Sequence, residues 1–222
     1  MTHSLLAAQT FLSALPEEIP IFPLSGAVLL PHARLPMNVS EPRYMNMIED
    51  ALGRGRLIGM IQPSSDVEAE NPRLYSIGCV GRMTSFNEVD DGHFLIVLSG
   101  LCRFRVVAEY PRTKPYRIVR PEWTPFPSDL GEDEPVKVDR EKLTDLMRSY
   151  FKKNAISVDW NVVKNAPDEV LIPTIIMICP FAPNEKQALL EAKTLTERTS
   201  MLMALLEMAS LPQADNEAEI KH

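Results

Sequence analysis

The 222 residues are enough for one large domain or two small ones with a sizeable core. Hydrophobic residues make up 45% and charged residues 24%, an ordinary globular balance, and a net charge of −7 is the wrong sign for a general nucleic-acid binder. Three cysteines (Cys79, Cys102, Cys179) without a C-x-x-C spacing, and four scattered histidines, argue against a disulfide framework, a metal site or a bound cofactor.

The thiols read as small buried hydrophobes. No apolar run approaches the ~18–20 residues that cross a bilayer. Residues 1–17 carry no Lys or Arg and so lack the positive start of a secretory signal; they read as an N-terminal arm of a cytoplasmic protein.

Residues 18–123 read mainly as strands, and the chain as a whole as α+β. One helix interrupts the strands early. Ser40 is its expected N-cap, Pro42 sits in the first turn, and Tyr44, Met47, Ile48, Ala51 and Leu52 form one apolar stripe that Gly53 and Gly55 end. Short β runs follow at 56–63, 75–86, 93–100, 101–110 and 115–123, which together suggest a small barrel or pseudo-barrel. Asp91-Gly92 marks a hairpin, and Gly78 and Gly81 mark bulges or close backbone contact. Six basic residues fall between Arg103 and Arg120 against one acid, Glu109, a local basic stripe that contrasts with the acidic run from Asp129 to Asp145.

From 121 to 135 the chain is acidic and rich in proline, a linker or long surface loop. Residues 124–211 then take a helical period. Leu143, Leu146, Met147 and Tyr150 make a stripe that Asn154 caps. The run 167–180 is apolar nearly all round, with Pro173 expected to kink or break it, and Thr194 and Glu197 have capping-box spacing before a long last helix. Residues 212–222 read as a polar tail.

The stretch from Pro20 to Leu52 resembles the N-terminal, substrate-binding domain of Lon proteases. The matching residues are Pro20, Pro23 and Leu24, then Val28 and Pro31, then Pro36 with Met37 in place of the usual Leu, then Glu41 and Arg43. Residues 76–83 and 95–106, with Gly100, Arg103 and Phe104 in register, resemble its strands, and 184–206 resembles the "KQ-x-LLE…ER" pattern of its helical part. The resemblance implies a PUA-like β pseudo-barrel with one packed helix, followed by a C-terminal helical bundle. It also implies binding of unfolded or apolar polypeptide segments, with a protease or chaperone as a possible partner.

Residues 1–222 hold no G-x-x-x-x-G-K-[ST] phosphate loop. Ser149, Lys152 and Lys153 read as neighbours on a polar helix face, not as a catalytic pair. The expected function is therefore non-catalytic polypeptide recognition, as an adaptor or regulator in protein quality control. The alternative is RNA binding through the 103–120 stripe, by analogy of fold. The residues singled out for a polypeptide site are Met37, Arg43, Tyr44 and Met47, with Arg103 as a charged rim; core packing competes as a role for Met47 and Tyr44, and an ion pair for Arg43. Eleven methionines suit a surface that adapts to varied apolar partners.

Overall fold

The computed structural model describes residues 14–64, 71–130 and 138–210. The polar tail, most of the N-terminal arm and part of the acidic loop lie outside these residues. Six strands are described: β1 (Ile19–Pro23), β2 (Arg34–Val39), β3 (Leu57–Ile61), β4 (Ile77–Glu88), β5 (Phe94–Glu109) and β6 (Arg117–Glu122). Helix α1 (Pro42–Leu52) lies between β2 and β3. Five further helices follow the strands: α2 (Arg140–Lys153), α3 (Trp160–Asn165), α4 (Asp168–Ile178), α5 (Pro183–Glu191) and α6 (Leu195–Ser210).

The sheet runs β2-β5-β4-β3-β1-β6, and β5 pairs again with β6. That second pairing closes β1, β3, β4, β5 and β6 into a barrel and leaves β2 outside it. All pairs are antiparallel except β1 with β3. The two runs 93–100 and 101–110, expected as separate strands, are one strand of 16 residues. Its first half pairs with β2 and its second half with β6. The break in pattern at Gly100-Leu101 that suggests two strands is a bulge: Gly81 faces Gly100 while Val80 faces Cys102. The hairpin at Asp91-Gly92 forms as expected, with Gly92 at φ +80°.

Alternation sorts the strand side chains between two cores. Ile19, Ile21, Leu57, Ile61, Val80, Cys102, Phe104 and Val119 fill the barrel. Their neighbours Phe22, Ile58, Met60 and Cys79 face a larger core with α1 and the C-terminal helices. Helix α1 starts one residue later than its sequence suggests. Glu41, not Ser40, is the N-cap, because Pro42 has the fixed φ and absent N–H of a first helical residue and pushes the residue before it into an extended conformation. Helix α4 runs through Pro173 without breaking. Pro173 lies in the second turn, so only one intrahelical bond is lost, and its ring is itself buried.

The turn before β2 folds back onto β5. The N–H of Gly100 donates to the carbonyl of Ala33 at 2.8 Å, and that of His32 to the carbonyl of Gly100 at 3.1 Å. A Cβ on Gly100 would lie 2.0 Å from the carbonyl oxygen of Leu30, where backbone would have to move. Gly100→Ala should therefore cost about 2–3 kcal/mol, read as a fall in the urea midpoint at unchanged slope. An unchanged midpoint would show that this turn yields freely.

Candidate functional site

Edge strand β2 is followed within two residues by α1, and both lie beside the end of β1 and the turn after it. A groove of about 370 Å³ forms between them. Leu35, Met37 and Val39 of β2 make one wall, and Phe22, Leu24 and Tyr44 the other. The rings of Phe22 and Tyr44 stack with centroids 4.0 Å apart and planes at 17°. Arg43 lays its guanidinium over the Tyr44 ring at 4.5 Å and pairs with Glu41 at 2.8 Å. Burial is the main cause that pushes the Tyr44 hydroxyl pKa up, so the phenol is neutral at physiological pH. Leu24 stands 37% exposed between this groove and a second hollow of about 210 Å³, which Arg43, Arg117, Pro23 and Pro72 help to line.

The five residues singled out in the sequence divide. Met37, Arg43 and Tyr44 come together here: Met37 is half-buried on β2, Arg43 exposed and Tyr44 mostly buried. Met47 is one turn further along α1 on the core side, fully buried, and offers nothing to a ligand. Arg103 is not on a rim. It is 2% exposed and sits at the junction of the barrel with the helices. Its Nη2 is 2.7 Å from Asp129 Oδ1, its Nη1 donates to the carbonyls of Leu190 and Ala192, and the Phe126 ring lies 4.6 Å below it. The alternation that makes Arg103 read as an outward residue of a two-faced strand fails because the helical part covers that outer face.

Phe22, Leu24 and Leu35 also line the groove, although they are not among the residues singled out in the sequence. Leu24 carried a signal: a large apolar residue directly before Ser25-Gly26, in a turn, has little core to enter.

The basic stripe does not form one surface. Arg103 is buried, and Arg117 is held by Glu109 at 2.6 Å. Lys114 pairs with Asp50 at 2.8 Å, and Arg105 lies 3.7 Å from Glu122. Hydrogen bonds from Lys114 and Tyr116 hold the Asp50 carboxyl below its ordinary pKa, so that pair stays charged. One buried guanidinium and others held by carboxylates do not make a continuous track for phosphates.

A larger hollow, about 620 Å³, lies between α2 and α3, lined by charges of both signs with Trp160 beneath Arg148. It lacks the continuous apolar wall of the β2 groove.

The three thiols are buried and free. Burial pushes Cys102 and Cys179 up to about 12 and Cys79 well above its ordinary value, so none is a thiolate nucleophile near neutrality. Among the described residues no group of three His, Cys, Asp or Glu could hold a metal ion, and no helix is long and apolar enough to cross a membrane.

The model of the ATP-dependent protease La (LON) substrate-binding domain matches residues 18–208. The chain belongs to this family. Lon protease 2 of Sorangium cellulosum is 30% identical over 199 residues, which are 86% of this chain and 24% of that protein. The Lon protease of Dictyoglomus thermophilum is 27% identical over 93% of this chain and 27% of its own length. The chain thus spans about a quarter of these relatives.

Two solved structures share the fold. A Lon N-terminal domain protein from Xanthomonas campestris has a TM-score of 0.54 at 23% identity, with 84% of this chain and 97% of that one covered. The N-terminal domain of the Mycobacterium avium complex Lon protease has a TM-score of 0.59 at 15% identity, covering 87% and 97%.

Two residues of the "KQ-x-LLE…ER" pattern, Lys186 and Gln187, tie the helical part to the barrel, and a third, Arg198, ties α5 to α6. Lys186 Nζ donates to the carbonyls of Gly26 and Met177. Gln187 donates to the carbonyl of Ile77 and accepts from Gln62, while Arg198 binds the carbonyls of Leu189 and Ala192. Burial is the first cause lowering the Lys186 pKa.

Proposed function

We propose that this protein recognises apolar segments of other polypeptides in the groove between β2 and the Phe22–Tyr44 stack. It acts without catalysis of its own, as an adaptor or regulator in protein quality control. The observation that carries this reading is an apolar groove on a member of a substrate-binding family, placed where the half-buried Met37 meets Leu24. One or two buried side chains of a partner contribute about 1.5–3 kcal/mol each, and ordering the partner opposes much of that gain. Affinities then fall between roughly micromolar and a fraction of a millimolar.

Titration of the protein into a labelled, permanently unfolded polypeptide tests the proposal. Met37→Asp puts a charge on the wall of the groove and should weaken binding at least about tenfold while the melting temperature stays close to that of the parent. A folded Met37→Asp that binds as the parent does would place the site elsewhere. Salt-sensitive binding to RNA, with none to unfolded chains, would favour the nucleic-acid alternative.

A further inference from the structure

Resting on that polypeptide-binding reading, we propose a binding mode and a ligand chemistry: an extended segment of a partner adds as a further strand to the open edge of β2, with apolar residues alternating with acidic or polar ones. β2 pairs only with β5, so its other edge has no strand partner among the described residues. In an antiparallel ladder, successive residues turn both backbone groups alternately toward and away from the neighbouring strand. Ala33 shows which parity faces β5, since its carbonyl accepts from Gly100. Leu35, Met37 and Val39 share that parity. Arg34, Pro36 and Asn38 therefore aim their backbone groups at the open edge, which is also where a proline is tolerated in a sheet.

The groove follows this edge, from Leu35 to Glu41 without a gap. Side chains of the added strand on the Leu35 and Met37 side would enter it and meet Leu24 and Tyr44. Those on the other side would lie beside Arg34, Pro36 and Asn38.

Two features choose the occupant. Pro36 sits at the centre of the edge and supplies no N–H. If a second copy paired through its own β2, two prolines would face each other and the central bonds would lack donors. A foreign strand brings its own N–H to the Pro36 carbonyl. The second feature is charge. Arg34 is exposed at one end of the edge and has no ion pair among the described residues, on a chain of net charge −7. Arg43, at the other end, is already held by Glu41 at 2.8 Å, so Arg34 supplies the charge that chooses the occupant. An acidic side chain opposite Arg34 lies on the face that Arg34 occupies, one position away from the apolar side chain that enters the groove.

The test uses the full chain and a labelled peptide with Glu-Leu-Thr-Val-Glu between neutral polar flanks, which fits the edge in either direction. Asn38→Pro removes a second outward N–H and no bond to β5. It should melt near the parent and bind the peptide about tenfold more weakly. Arg34→Glu should weaken binding about three- to tenfold and regain it when the two Glu of the peptide become Lys. N-methylation of the peptide at alternate amides, which leaves the protein untouched, should abolish binding in one phase of the alternation and spare it in the other.

Equal loss in both phases, or none in either, overturns strand addition, as does a folded Asn38→Pro that binds as the parent does. A dimer of the parent that Asn38→Pro dissolves would make a second copy the occupant and overturn the proposal of a foreign strand. If unfolded polypeptide still binds in a Met37-dependent way while these edge variants have no effect, the edge inference fails and the groove reading stands. If neither polypeptide nor peptide binds, both fail.

Discussion

Arg103→Met should destabilise the protein by about 3–5 kcal/mol, enough to lower the melting temperature by on the order of 10 °C. The side chain is 2% exposed, and its guanidinium holds Asp129 through Nε and Nη2 while Nη1 caps the last carbonyls of α5. Methionine keeps most of the volume and the packing on Phe126. It leaves the Asp129 carboxylate, 5% exposed at its side chain, without a counter-charge, and the Leu190 and Ala192 carbonyls short of a donor. An uncompensated buried charge is the larger part of the loss.

Arg103→Lys should recover only part of it, because an ammonium cannot span a carboxylate and two carbonyls with one fixed fork. Below its melting transition, Arg103→Met should bind unfolded polypeptide as the parent does, since Arg103 does not line the groove. A loss under about 1 kcal/mol would mean that the pair does not join barrel to helices. Weakened binding in the folded variant would return Arg103 to the site.

Much of the architecture was legible because local signals and global packing agree. Tyr44, Met47, Ile48 and Ala51, spaced as a helical stripe, are the buried residues of α1. The Thr194–Glu197 pair caps α6 nearly as read: the Glu197 N–H donates to the Thr194 hydroxyl, although the Glu197 carboxylate reaches the Lys193 N–H instead of that of Thr194. What misled was any inference about which side of an element is wet. Period 2 in "CRFRV" gives the correct alternation, but it cannot show that α5 and the turn carrying Asp129 cover the arginine side. The methionines of α6 point in several directions, as their spacing on a helix requires. Met201 and Met203 pack at the edge of the helical core, and Met208, near the end of α6, is 67% exposed. The site was half legible for the same reason. Met37 and Tyr44 could be named from their elements, whereas Phe22 and Leu24, at the end of β1 and in the turn after it, meet them only in the folded chain.

Phe104→Ala should cost about 3–5 kcal/mol, the usual range for deleting a buried aromatic ring. Phe104 is the residue after Arg103 and points the opposite way, into the barrel, where it is fully buried. Its ring meets Trp123 edge-on at 6.0 Å, and the Trp123 indole N–H donates to the carbonyl of Pro16, so the ring also supports the start of the described chain. Two glycines make room for it. A Cβ on Gly78 would lie 2.7 Å from the ring and 2.5 Å from the Met60 carbonyl oxygen; one on Gly59 would lie 3.0 Å from the ring and 2.9 Å from Ile19 Cδ1.

The difference between those neighbours makes the cause testable. At Gly78 backbone blocks a methyl even after the ring is gone, while at Gly59 only side chains do. Gly59→Ala should destabilise the parent and do so by at least about 1 kcal/mol less in the Phe104→Ala background, because part of the vacated volume accepts the methyl. Gly78→Ala should stay costly in both backgrounds. Additive effects at Gly59, measured by urea unfolding of all four proteins, would show that the ring does not require that glycine and that the barrel relaxes around either change.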